Sequence, residues 1–256
     1  GHSGGESETI MGRWFAARPG AREKVQLITK VGMPMPGQGE GLSAAWIETA
    51  VEASLRRLQT DRIDLYLSHR ADDTVPHEET LGAYDRLIRA GKVRAIGASN
   101  FSAEQLAAAE AVPDELPRYG ALQPEYNLHT RDKFEGALAE FCLAHDIGVF
   151  PYFGLASGFL SGKYRKPEDL KGPRGERSIG QYMTDRGMAI LAAMDEVAEE
   201  TGAQHAEIAL AWLRGKETVT APIASATTDA QLQSLVRAAT LELTAAQMAK
   251  LDAAGA

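Results

Sequence analysis

The sequence predicts an α/β protein built on a parallel sheet, and two observations carry that expectation. Short β-branched runs alternate with amphipathic runs of about ten to fifteen residues, the pattern of βαβ units. The length, 256 residues, suits α/β architectures that use about 250 residues as one domain. No internal repeat, low-complexity tract or linker interrupts the chain, so residues 1–256 read as a single domain.

Val25–Thr29 (VQLIT) is a β-branched apolar run and predicts a buried strand. Ala44–Leu58 places Trp46, Ile47, Val51 and Leu55 on one side at helical spacing. Ile63–Leu67 (IDLYL) is a strand and Glu78–Ala90 a helix. Val93–Ile96 is a short strand, after which Ser102 caps a helix running to about Ala111. Ala121–Tyr126 is a strand, Lys133–His145 a helix and Gly148–Tyr152 a strand. A Gly/Lys/Arg-rich loop runs from Gly154 to about Gly180. Helices cover Met188–Thr201 and Ala206–Arg214, Thr218–Ile223 is the last strand, and helices follow at Asp229–Ala239 and Thr244–Ala253. That makes six strands, whereas a closed βα barrel needs eight. Either the sheet is open, or two strands lie in sequence outside this chain. The glycine-rich start, Gly1-His2-Ser3-Gly4-Gly5, has no strand before it and reads as an expression scar (GHS) or as a chain entered at a loop.

Composition narrows the function. There are 27 Lys+Arg against 35 Asp+Glu, for a net charge of -8, and the pI is near 5.3. Such a balance argues against nucleic acid as the main partner, because phosphate binding needs clustered cations. No run approaches the roughly 18 apolar residues of a membrane helix, and no secretory signal opens the chain. The single cysteine, Cys142, excludes an intramolecular disulfide framework and fits a reducing cytoplasm. No metal site is expected.

Ionisable residues end two predicted strands. Lys30 closes VQLITK and His69 closes IDLYLSH. Ligands in parallel α/β sheets bind beyond the carboxyl ends of strands, so both side chains would face one mouth. Taken singly, the lysine could be merely solvated and the histidine structural. Gly97-Ala98-Ser99-Asn100-Phe101 ends a third strand, either to bond a carboxamide or to cap the next helix. Gln123 lies on the following strand, and a buried Gln needs polar partners. From Lys163 to Arg177 the loop holds Lys163, Arg165, Lys166, Lys171, Arg174 and Arg177 against Glu168, Asp169 and Glu176. That local excess of positive charge reads as a solvated loop or as a phosphate neighbour.

These residues together resemble the aldo-keto reductases. The matching stretches are GGESETIMGRW, LITKVG, RIDLYLSHRAD, LIRAGKVRAIGASNF, QPEYNL, PYFGLASGFLSGKYR and API-ASATTDAQL, in family order to about Gln231. The resemblance implies a (β/α)8 barrel, of which about six of the eight βα units are present here, the first two and an N-terminal hairpin preceding Gly1. It implies reversible reduction of aldehydes or ketones by hydride from NADPH, with NADP(H) preferred over NAD(H), a small carbonyl or alcohol substrate and a cytoplasmic setting. The alternative it leaves is a cofactor-binding regulatory or non-catalytic module of the same fold.

The resemblance also implies roles. Lys30 matches the lysine that lowers the pKa of a proton-donating tyrosine, and His69 the histidine that orients the carbonyl. Ser99, Asn100 and Gln123 match the residues that hold the nicotinamide carboxamide, and Tyr152 the aromatic that stacks on the ring. Phe153 and Gly154 follow it, and Leu155 to Gly158, including Ser157, match the pyrophosphate loop. Lys163 and Arg165 belong to the basic loop beside it. Ser225, Thr227, Thr228 and Gln231 match the pocket for the adenosine 2′-phosphate and adenine. The sequence departs from the pattern in places. Phe153-Gly154 stands where a Ser-Pro pair is common, Thr227 where an arginine often meets the 2′-phosphate, and Ser234-Leu235 where a Glu-Asn pair is usual. The family's aspartate and proton-donating tyrosine have no match in residues 1–256. Tyr66 lies within a strand and Tyr126 in a structural stretch.

Overall fold

Three consecutive parallel strands, separated by helices, bear out the α/β expectation in the computed structural model, which describes residues 4–170 and 178–255. Lys171, Arg174, Glu176 and Arg177 of the basic loop, and Gly1 to Ser3, lie outside the described residues. The chain forms two compact units, residues 1–122 and 123–256.

In the first unit, helix α1 (Glu6–Ala16) precedes strand β1 (Ile28–Val31). Then follow α2 (Ala44–Leu58), β2 (Ile63–Ser68), α3 (His77–Arg89), β3 (Val93–Ser99), α4 (Ala103–Glu110) and β4 (Ala121–Gln123), whose last residue opens the second unit. β1, β2 and β3 pair in sequence order, with Lys30 opposite Leu67 and Leu67 opposite Gly97. Gly97 is needed there: a Cβ would stand 2.6 Å from Leu67 Cδ2 and 2.7 Å from the Ala121 carbonyl. α2 buries Ile47, Val51, Leu55 and Leu58 on one stripe, each contributing about 1.5–3 kcal/mol on burial. Ser43 caps it by accepting from the Trp46 N–H. Ser102 caps α4 as expected, in a reciprocal box with Gln105.

β1 starts three residues later than the expected Val25–Thr29, because a 3-10 turn over Arg22–Lys24 leaves Val25 exposed. The sequence pattern misses α1 altogether. This helix packs on α2 at Gly12, where a Cβ would meet the Arg57 carbonyl at 2.1 Å.

The second unit holds α5 (Ala137–Ala144), β5 (Gly148–Val149), α6 (Asp185–Thr201), α7 (His205–Arg214), α8 (Asp229–Ala238) and α9 (Ala245–Ala254). α5 is shorter than Lys133–His145, since Gly136 at φ 85° breaks the run. α6 starts before Met188 because Thr184 caps it. Thr218–Ile223 does not form a full strand. It bridges Val149 at Val219 and donates from Thr220 and Ile223 to Val149 and Pro151. Pro151 and Pro222 have no N–H to extend a ladder. Trp212, Tyr126 and Phe134 are buried together, with Tyr126 5.3 Å from Trp212 and 4.9 Å from Phe134.

Candidate functional site

Lys30 lies within β1, one residue before its end, and His69 follows the last residue of β2. Both border a cavity of about 380 Å³ together with Glu8, Met33, Met35 and Trp46. Ile28, Thr29, Lys30 and Val31 all line it. Successive strand residues face opposite ways, so the cavity follows the edge of β1. Among the described residues, β1 pairs along its length with β2 alone.

Electrostatics couple the two side chains. Burial lowers the pKa of Lys30. Burial, and then the charges of Lys30 and Arg70, bring His69 down to about 4. At neutral pH the imidazole is therefore uncharged, with one N–H to donate and one lone pair to accept. Lys30 is the cation of the pair.

The backbone of His69 is held at both ends. Its N–H donates to the Val31 carbonyl at 2.8 Å. Its carbonyl accepts from Asn100 Nδ2 at 3.0 Å. Asn100 sits just past β3 in the left-handed region, at φ 57°, a conformation that Asn tolerates better than most residues. Its Nδ2 also lies 3.1 Å from Ser99 Oγ, and Ser99 is buried. Thus Lys30, His69, Ser99 and Asn100 gather at the carboxyl ends of three adjacent strands, as the sequence suggests.

Neither Tyr66 nor Tyr126 is available for proton transfer. Tyr66 and Tyr126 are buried, and burial raises both pKa values far above the ordinary phenol value. Tyr126 donates to Glu135 at 2.7 Å. Among the described residues, no tyrosine borders the cavity beside Lys30.

In the second unit Gln123 is buried, and Tyr152 is half-buried just beyond β5. Burial and then the charge of Glu125 raise the Tyr152 pKa, keeping its hydroxyl protonated. Phe153 is 52% exposed and left-handed. The backbone at Gly154 approaches α7, where a Cβ would stand 2.9 Å from Leu213 Cδ1. Ala156, Ser157 and Gly158 are successively left-handed, and space is open where a Cβ of Gly158 would stand. Leu155 accepts from the Gly158 N–H at 2.8 Å.

Arg165 forms a two-pronged ion pair with Asp195, at 2.8 and 2.7 Å, and its Nε donates to the Gly162 carbonyl at 2.7 Å. An anion here would have to displace Asp195. Lys163 lies over the Tyr164 ring at 4.9 Å. Thr228 caps α8, accepting from the Gln231 N–H. Gln231 Oε1 accepts from both the N–H and the hydroxyl of Thr227. Ser225 is exposed. Ser234 turns inward and donates to Glu207 at 2.9 Å, away from solvent.

Several residues that shape the site escaped sequence reasoning. Glu8 comes from the unforeseen α1 and takes hydrogen bonds from Thr29 and Arg57 at 2.6 and 2.7 Å. The acidic first turn of α1, with Glu6 and Glu8, was its only local signal. Met33, Met35 and Trp46 line the cavity from a loop and from the start of α2.

The aldo/keto reductase family model matches residues 3–256. An uncharacterized oxidoreductase of Bacillus subtilis (strain 168) is 33% identical over 252 residues, covering 95% of this chain and 76% of that protein. A probable voltage-gated potassium channel subunit beta of Arabidopsis thaliana is 31% identical over 245 residues, covering 93% and 75%. An aldo-keto reductase of Metarhizium robertsii is 35% identical over 256 residues, covering 87% and 67%. With a match spanning nearly its whole length and lysine and histidine at neighbouring strand ends, this chain belongs to the aldo/keto reductase family.

Proposed function

We propose that the protein reduces an aldehyde or ketone to the alcohol, reversibly, with NADP(H) preferred and NAD(H) as the alternative cofactor. The observation that carries this is the pairing of Lys30 with a neutral His69. When hydride adds to a carbonyl carbon the C=O π bond breaks and negative charge develops on the oxygen, which a nearby cation and a neutral donor stabilise. His69 donates its N–H to that oxygen and fixes its direction. Lys30 supplies the positive charge.

The residues present fit a nicotinamide dinucleotide at the ring and pyrophosphate. The support is the open space at Gly158, the exposed Phe153 and the half-buried, protonated Tyr152. Such a cofactor, when bound, supplies the hydride. Tyr152 offers a face to the ring, while Ser99, Asn100 and Gln123 take its carboxamide. Phe153, Gly154, Leu155, Ser157 and Gly158 border the pyrophosphate. Lys163 is the cation for the 2′-phosphate, with Ser225, Thr227, Thr228 and Gln231 around the adenosine. Arg165 belongs to this group only if it leaves Asp195. The reading takes the fold as a single (β/α)8 domain. A cytoplasmic setting goes with this reading.

A second reading, a cofactor-binding module without turnover, is favoured by the likeness to the plant channel subunit. One experiment separates them. NADPH consumption is followed across a panel of carbonyls, with wild type, Lys30→Met and His69→Ala. Turnover that falls at least tenfold in both variants, with NADPH affinity retained, supports the enzyme. Saturable NADPH binding without consumption of any carbonyl supports the module.

A further inference from the structure

Ser68, the last residue of β2, is fully buried immediately before His69. Its Oγ lies 2.8 Å from the Tyr84 hydroxyl and 2.9 Å from the Tyr119 hydroxyl. Tyr84 comes from α3, and Tyr119 from the turn before β4. Both rings are buried, in edge-on contact 6.4 Å apart, and Tyr119 meets Phe101 in the same way at 5.5 Å. Burial raises both phenol pKa values, that of Tyr119 to about 12, so the three hydroxyls form a neutral cluster. Each hydroxyl has one proton to give and lone pairs to accept. A buried hydroxyl without a partner is costly, and Ser68 Oγ is within hydrogen-bond reach of both phenols.

We propose that this Ser68–Tyr84–Tyr119 cluster is a positioning device for His69, clamping the end of β2 from the helix side so that the imidazole stays beside Lys30 on the cavity side. Alternation along the strand supports this. Ser68 points toward the helix layer and its neighbours Leu67 and His69 point the other way. The clamp complements the two backbone tethers, Val31 to the His69 N–H and Asn100 to its carbonyl. A strand end held from four neighbouring elements has little freedom to swing its next residue. None of the three hydroxyls touches substrate. They act through His69, and the catalytic part of the proposal rests on the carbonyl-reductase function above.

The test uses the full chain with Ser68→Ala, Ser68→Thr and the double variant Tyr84→Phe/Tyr119→Phe. The double variant keeps both rings and removes only their oxygens, so it remains informative if Ser68→Ala fails to fold. The first readout is the His69 ring titration by NMR. The wild-type midpoint is expected near 4. In Ser68→Ala and the double variant it should move toward the ordinary value of 6.5, as the ring gains solvent and distance from Lys30. Ser68→Thr, which retains the hydroxyl, should restore the wild-type midpoint. The second readout is kcat, expected to fall about tenfold with KM nearly unchanged. An unmoved His69 midpoint in a folded double variant overturns the proposal. Absence of turnover in the wild type would count against the reductase function alone, because the NMR titration decides the clamp without it.

Discussion

The side-chain amide of Asn100 donates to the backbone carbonyl of His69 at 3.0 Å, tying the end of β3 to the end of β2. One residue thereby fixes the placement of another whose charge state matters. The same Asn is the one proposed to take the nicotinamide carboxamide, so the tether and the proposed cofactor contact would share a single side chain.

That dual use is separable by mutation. Asn100→Ala loses the tether and puts a Cβ residue without a bonding side chain at φ 57°, and it should lower unfolding free energy by about 1–2 kcal/mol. Asn100→Gly removes the backbone penalty and should recover part of that stability, but not NADPH affinity. Urea unfolding and NADPH titration of both variants check this.

His69 makes stability depend on pH in a defined direction. Its folded pKa, about 4, lies below the ordinary 6.5. The unfolded chain therefore binds more protons between those values. The contribution is fully present above pH 6.5, and is lost as pH falls toward 4. Partial exposure and solvent screening limit it to on the order of 1 kcal/mol. Thermal unfolding of wild type should lose stability more steeply across this window than His69→Ala.

Asp64 anchors the first unit elsewhere. It is buried, accepts from the Leu27 N–H at 2.8 Å and pairs with Arg22 at 2.7 Å and Arg94 at 2.9 Å. Burial alone would raise its pKa, but these donors and charges outweigh burial and hold it below the usual carboxylate value. Asp64→Ala leaves the buried Arg22 without its carboxylate and should cost about 3–5 kcal/mol, read by urea unfolding. This contribution is present above the ordinary carboxylate pKa and disappears as pH falls through the lowered one, at more acid pH than that of His69.

The basic loop gives a sharp contrast. Arg165 is engaged with Asp195, so Arg165→Met should reduce thermal stability while changing NADPH affinity less than threefold. Lys163→Met should weaken NADPH several-fold and NADH little. Thr227→Glu, placing a carboxylate beside the proposed 2′-phosphate, should cut the preference for NADPH over NADH at least tenfold. Parallel titrations with the two cofactors decide each case.

Much of this was legible in the residues because it is local. The apolar stripe of α2, the Ser102 cap of α4 and the β-branched run of β2 each announce themselves within one element. Lys30, His69 and Asn100 were visible as polar groups ending strands. What stayed hidden depends on distant partners. Whether Arg165 serves a ligand or Asp195 turns on a residue 30 positions away, and Ser68 meets a tyrosine 51 positions away. α1 was hidden because its surface carries exposed Ile10 and Trp14, which blur the polar-apolar alternation. The final strand failed because Pro222, and Pro151 opposite it, have no N–H to continue a ladder.

Titration of the purified chain with NADPH, followed by tryptophan quenching and by nicotinamide emission, tests the central claim most directly. Saturable binding is expected, weakened at least tenfold by Tyr152→Ala and by Gln123→Ala but less than threefold by Lys30→Met. No saturable signal with NADPH or NADH, in a chain shown to be folded, would contradict it.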